Sequence, residues 1–178
     1  LNVSTTHVLS VNFTPSDATN YNSVNGTTVV LEVTKATLTA TPNNQTRLYG
    51  AANPAFPISY AGFVNSETFL VLNTQPLASS AAGSTSPVGP YPIVASGGLD
   101  NNYEIVYVQG TLTITKANVT AIAVNASRVY GSLNPLFTIN YTGFVNGENS
   151  SVLDTAPTAS TAATSTSAAG TYPITVSG

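Results

Sequence analysis

His7 is the only histidine in the chain, and a Ser-His-Asp hydrolase would need it as its general base. Neither a second histidine nor a Gly-x-Ser-x-Gly elbow accompanies it, so a surface or structural histidine is expected. Seven carboxylates, Asp17, Glu32, Glu67, Asp100, Glu104, Glu148 and Asp154, are the candidates for the paired acids of glycoside hydrolysis. Cysteine is absent, which excludes thiol nucleophiles, disulfide frameworks, redox motifs and cysteine-built metal clusters. One histidine cannot make a histidine-rich zinc site. Asp100-Asn101-Asn102 offers oxygens to calcium without the spaced acids of a strong loop, and reads as a turn. The sequence thus yields no catalytic, cofactor-binding or metal-ligating residue, and a non-enzymatic protein without a cofactor is expected.

The spacing of the remaining polar residues has another origin. Thr34-Lys35-Ala36 recurs as Thr115-Lys116-Ala117, Tyr49-Gly50 as Tyr130-Gly131, and Asn53-Pro54-x-Phe56 as Asn134-Pro135-x-Phe137, each displaced by 81 residues. Tyr60-x-Gly62-Phe63-Val64-Asn65-x-Glu67 and Gly89-x-Tyr91-Pro92-Ile93 recur with the same displacement, and residues 34–97 match 115–178 at about 36 of 64 positions. Glu67 and Glu148 are therefore equivalents in different modules, which a duplicated fold explains better than a single active site. The four basic residues reduce to two positions used twice, Lys35 with Lys116 and Arg47 with Arg128. Arg47 with Glu67, and Arg128 with Glu148, are the expected structural ion pairs, worth about 0–1 kcal/mol when exposed. Lys35 and Lys116 share strand parity with inward positions and are candidates for an isopeptide bond to an Asn; a strand-end lysine with its stem packed and its ammonium in water is the favoured alternative.

A module of this length can own a core. The chain divides into residues 1–35, the last strands of a preceding module; 36–116, a complete module; and 117–178, a second copy that lacks its last strands. Leu1 opens a chain without methionine, so an excerpt of a larger protein is expected. Period-two alternation, with Leu9, Val11 and Phe13, with Val29, Leu31 and Val33, and with Phe137, Ile139 and Tyr141 on one face, predicts strands throughout. Closely spaced Gly and Pro leave room for about seven short strands in the complete module, the pattern of an all-β, immunoglobulin-like antiparallel sandwich in tandem. Tyr21 and Tyr103, each shortly after an Asp, sit where a tyrosine corner would turn its hydroxyl onto upstream backbone.

Tyr49-Gly-x-x-Asn53-Pro-x-Phe56, Gly62-Phe-Val-Asn65-x-Glu67, Gly89-x-Tyr-Pro-Ile93, Asn102-Tyr-x-Ile105 and Gly110-x-Leu-x-Ile-x-Lys-Ala117 together resemble the MBG type of bacterial Ig-like repeat. The resemblance covers nearly all of 36–178. Residues 1–35 resemble the end of another bacterial Ig-like repeat class. The resemblance implies secreted, multi-domain surface proteins and adhesins in which such repeats act as stalks, with no catalytic residues to carry over.

Composition fits that setting. Charged residues are 6% of the chain and the net charge is −3, so phosphate-driven nucleic-acid binding and attraction to anionic membranes are not expected. No apolar run reaches the ~18 residues of a transmembrane helix. Asn-x-Ser/Thr triplets begin at Asn2, Asn12, Asn25, Asn44, Asn118, Asn125, Asn140 and Asn149 and are the candidate N-glycosylation sites, where sugar would supply the polarity that charge does not. The reading is a structural or adhesive stalk segment, extracellular or at the cell surface, whose partners are neighbouring repeats and a glycan or host surface ligand. Two rivals stand beside it. In one, residues 17–35 of one chain complete 117–178 of the next and build a filament by strand complementation; in the other, the module is a glycan-binding adhesin.

Overall fold

The computed structural model describes residues 4–178, with the backbone alone for 4–6. It is all-β and sandwich-like, with two single-turn 3-10 segments at Phe69–Val71 and Ser150–Val152. The strands are β1 (Ser4–Phe13), β2 (Val24–Val33), β3 (Ala36–Pro42), β4 (Gln45–Leu48), β5 (Ile58–Ala61), β6 (Leu77–Ser79), β7 (Gly89–Ser96), β8 (Tyr103–Tyr107), β9 (Gly110–Thr115), β10 (Thr120–Ala123), β11 (Ile139–Thr142), β12 (Thr158–Ser160) and β13 (Thr175–Ser177). Residues 36–116 hold the seven strands β3 to β9, as the turn spacing predicts.

Those seven form a three-stranded sheet in the order β5-β3-β8 and a four-stranded sheet in the order β4-β9-β7-β6. One pairing departs from the antiparallel expectation. β3 runs parallel to β8, with Leu38 opposite Ile105. Parallel neighbours require a long crossover, and the intervening strands β4 to β7 supply it. Alternation then decides which side chains go inward. In β3, Leu38, Ala40 and Pro42 are buried; in β9, Gly110, Leu112 and Ile114; in β7, Ile93 and Ala95. A fully buried Leu or Ile contributes about 1.5–3 kcal/mol over an exposed one, so these three strands carry much of the driving force. Tyr103 and Leu72 join Leu38 in one cluster, flanked by Tyr60, Phe63 and Ile105.

The repeat persists at the level of elements. The pairs Thr39–Ala61 and Ala40–Tyr60 of β3 and β5 reappear 81 residues on as Thr120–Thr142 and Ala121–Tyr141 of β10 and β11. Leu77–Ser96 of β6 and β7 likewise reappears as Thr158–Ser177 of β12 and β13. A register slip of one residue would turn every side chain to the other face, so the shared apolar alternation fixes the same register twice.

β1 and β2 form a two-stranded antiparallel ribbon with irregular steps between Ser4 and His7 and between Val11 and Phe13. Here alternation does not translate into a buried face: Leu9, Val11, Phe13, Val29 and Leu31 are exposed, and so are Val8 and Val30 on the other side. A two-stranded ribbon has no second layer to cover either face.

By contact density the chain falls into two compact units. The first comprises Leu1–Gln45, Ala55–Ala81 and Pro90–Leu112; the second comprises Thr46–Pro54, Ala82–Gly89 and Thr113–Gly178.

Candidate functional site

In the second unit, Arg47 of β4 is 6% exposed, an unusual place for a charge. Its guanidinium donates from Nε to Asn53 Oδ1 at 2.7 Å, from Nη1 to the Leu48 carbonyl at 3.1 Å and from Nη2 to the Gly83 carbonyl. Asn53 passes the connection on, its Nδ2 donating to the Ala82 carbonyl at 2.7 Å. Arg128 and Asn134 repeat the arrangement: Nε to Asn134 Oδ1 at 2.8 Å, Nη1 to the Val129 carbonyl, Nη2 to the Thr164 carbonyl, and Asn134 Nδ2 to the Ala163 carbonyl at 2.7 Å. The planar fork of an arginine satisfies several carbonyls at once, so each copy uses it to tie a turn to a neighbouring loop.

The expected ion pairs Arg47–Glu67 and Arg128–Glu148 are corrected by these contacts. The arginines take neutral carbonyl acceptors, and the two glutamates accept from tyrosines. Tyr103 Oη donates to Glu67 Oε2 at 2.5 Å and accepts from the Val64 N–H at 3.0 Å, so the corner tyrosine does turn its hydroxyl to upstream backbone. The ring is 2% exposed and meets Phe63 edge-on at 5.3 Å. Burial first, and then the Glu67 carboxylate, push the Tyr103 hydroxyl above the usual tyrosine range, against the opposing pull of the Val64 N–H. Tyr60, stacked on Phe69 and tilted against Phe63, is pushed up by burial and then by Tyr107. Tyr21 is not a corner; it is 66% exposed.

Glu148 accepts from Tyr49 Oη at 2.6 Å, a contact that the spacing of 99 residues hid from sequence inspection. Beside it, a cleft of about 310 Å³ is lined by Tyr49, Val88, Lys116, Phe144, Glu148 and Leu153. A second groove of about 590 Å³ lies among Arg128, Asn134, Phe137, Tyr172 and Ile174. Lys35 Nζ donates to the backbone carbonyl of Asp100 at 2.7 Å, whereas an isopeptide bond would require a side-chain carboxamide there. Lys116 lines the smaller cleft and is exposed.

The Asp turns are self-contained. Asp100 Oδ1 accepts from the N–H groups of Asn102 and Tyr103, and Oδ2 from that of Asn73, while Asn101 N–H reaches Asn73 Oδ1. Asp17 is held below the usual carboxylate range by the Asn20 side chain, then by the Asn20 and Thr19 N–H groups. Among the described residues no cluster of three or more His, Asp or Glu is placed to hold a metal ion, and no helix is long and apolar enough to cross a membrane. His7 lies in β1 opposite Leu31.

Asn2 lies outside the described residues. The other candidate glycosylation sites, Asn12, Asn25, Asn44, Asn118, Asn125, Asn140 and Asn149, are all exposed. Three of them also work locally through Oδ1: Asn12 accepts from Gly26 N–H, Asn44 from Thr111 N–H, and Asn149 from Ser151 N–H.

The family model described as MBG domain (YGX type) matches residues 38–113 and 118–178. No curated protein matches the chain, and no solved structure matches it.

Proposed function

Because the chain belongs to the MBG domain family of the YGX type, in two consecutive copies, we propose that it is a non-catalytic structural or adhesive repeat segment of an extracellular surface protein. The observation that carries this reading is the fate of the recurring polar side chains. Arg47 and Arg128 hold turns through carbonyls, and Glu67 and Glu148 hold tyrosines. Groups committed in this way brace a β-framework, the role expected of a structural repeat.

Its mechanism is mechanical. Consecutive modules, joined at Thr34-Lys35-Ala36 and Thr115-Lys116-Ala117, separate a binding region from the cell that carries it. Sugar on the exposed Asn-x-Ser/Thr sites would keep such a weakly charged segment hydrated. Protease treatment of intact source cells tests the proposal: peptides from 36–178 are expected in the released fraction, carrying glycan at one or more of these asparagines. Release only after lysis would overturn the surface reading.

A filament subunit growing by strand addition is the second reading. It is favoured by the 590 Å³ groove together with the exposed Val29 and Leu31 of β2, whose Leu31-x-Val33-x-Lys35 repeats Leu112-x-Ile114-x-Lys116. A monomer at micromolar concentration would count against it.

A further inference from the structure

Three contacts within the second unit seat the Tyr49-Gly50 turn on the segment Gly143–Glu148. Tyr49 Oη donates to Glu148 Oε1 at 2.6 Å. Asn146 Nδ2 donates to the Ser84 carbonyl at 3.3 Å, the same oxygen that accepts the Gly50 N–H and so shapes the turn. Val145 comes so close to Gly50 that a Cβ there would lie 2.5 Å from its Cγ2. Glycine at position 50 is thus required twice, by its φ of +83° and by the valine lodged against it.

Both halves of this contact exist a second time with that surface open. Gly131 repeats the turn, with φ +87° and its N–H on the Ser165 carbonyl at 3.2 Å, yet no atom lies within 4 Å of where its Cβ would be. Tyr130 is 68% exposed. On the other half, Asn65 has φ 55° against 53° for Asn146, and Glu67 N–H closes on the Val64 carbonyl as Glu148 N–H closes on that of Val145. Val64 is 48% exposed, whereas Val145 is half-buried. Tyr103 uses one oxygen of Glu67, and a carboxylate offers two acceptor oxygens, so Glu67 can take a second phenol as Glu148 takes Tyr49.

We infer that the Tyr-Gly turn and the Gly-Phe-Val-Asn-x-Glu turn are a plug and socket that join one copy to another, and that the open pair on this chain is filled by a second copy of it. Tyr130-Gly131 of one chain docks on Gly62–Glu67 of the next, with phenol to carboxylate, valine to glycine and amide to carbonyl. Both halves are pre-shaped, which keeps the ordering cost low. The patch is small, so between separate chains the contact is weak; in tandem the connecting residues raise the effective concentration to about the millimolar range and make it persistent. The coupling depends on this geometry and not on cellular location, so its failure leaves the surface proposal standing.

Amide chemical shifts of the full 15N-labelled chain, followed from dilute solution to about the millimolar range that a short tether provides, test it. Shifts that grow with concentration are expected at Val64–Glu67 and at Val129–Ser132. Tyr130→Ala and Val64→Asp, both at exposed positions, each abolish them. Labelled Val64→Asp mixed with unlabelled Tyr130→Ala restores the shifts at Val129–Ser132, since one intact plug then meets one intact socket. Absence of concentration dependence in these segments, or its persistence in both variants, overturns the inference.

Discussion

Tyr103 shows how much one buried hydroxyl can be asked to do. It closes the aromatic cluster with its ring, supplies an acceptor to Val64 N–H and a donor to Glu67, and the donation to Glu67 depends on the neutral phenol. Because burial and Glu67 raise its pKa in the fold, the folded chain holds this proton more tightly than the unfolded one. The resulting stability is fully present below the free tyrosine range near pH ~10 and is lost as pH rises through it toward the raised value. Tyr103→Phe is expected to destabilise the fold at neutral pH and to weaken the alkaline loss, measured by chemical denaturation across that range. Equal alkaline sensitivity in the variant would assign the effect elsewhere, with Tyr60 next in line. The sequence showed which polar residues recur but not whom they meet. Charge sorted Arg47 with Glu67 on paper, whereas in the fold the arginine found backbone carbonyls, which every residue carries and no sequence pattern marks. Asn53 could have been found, since the Arg-x5-Asn spacing of Arg47 and Asn53 returns in Arg128 and Asn134.

Among the elements, alternation was a sound guide to direction and a poor one to company. Leu38, Ile93, Leu112 and Ile114 each sit at alternating positions of their strands, and all four are buried. Leu9 and Val11 share one face by the same alternation, yet both are exposed, since alternation says which residues share a face and not whether anything covers it. The parallel partnership of β3 with β8 was illegible for a related reason: a strand's sequence does not name its neighbour. The contrast predicts unequal sensitivity. Leu38→Ala is expected to cost about 2–5 kcal/mol in denaturant melts, the usual toll of a core cavity. Leu9→Ala should stay within about 0.5 kcal/mol of the parent chain. A large loss at Leu9 would mean that a layer covers the β1–β2 ribbon in solution.

For the molecule as a whole, the 81-residue repeat was visible at once and returned in strand positions, registers and glycine conformations. What the repeat did not show is that compactness ignores its boundaries: Thr46–Pro54 and Ala82–Gly89, in the first copy by sequence, cluster with Thr113–Gly178. A turn that belongs to one copy by chain and to the next by contact is a joint, and this gives the recurring Tyr-Gly pair a purpose that its own module does not explain. The central claim is that Tyr49 and Glu148 couple consecutive copies, and a double-mutant cycle in the intact chain tests it most directly. With Tyr49→Phe, Glu148→Ala and the double variant measured by equilibrium denaturation, the account predicts an interaction of about 1.5 kcal/mol, as for a hydrogen bond to a charged group. Losses that add to within about 0.5 kcal/mol would contradict it.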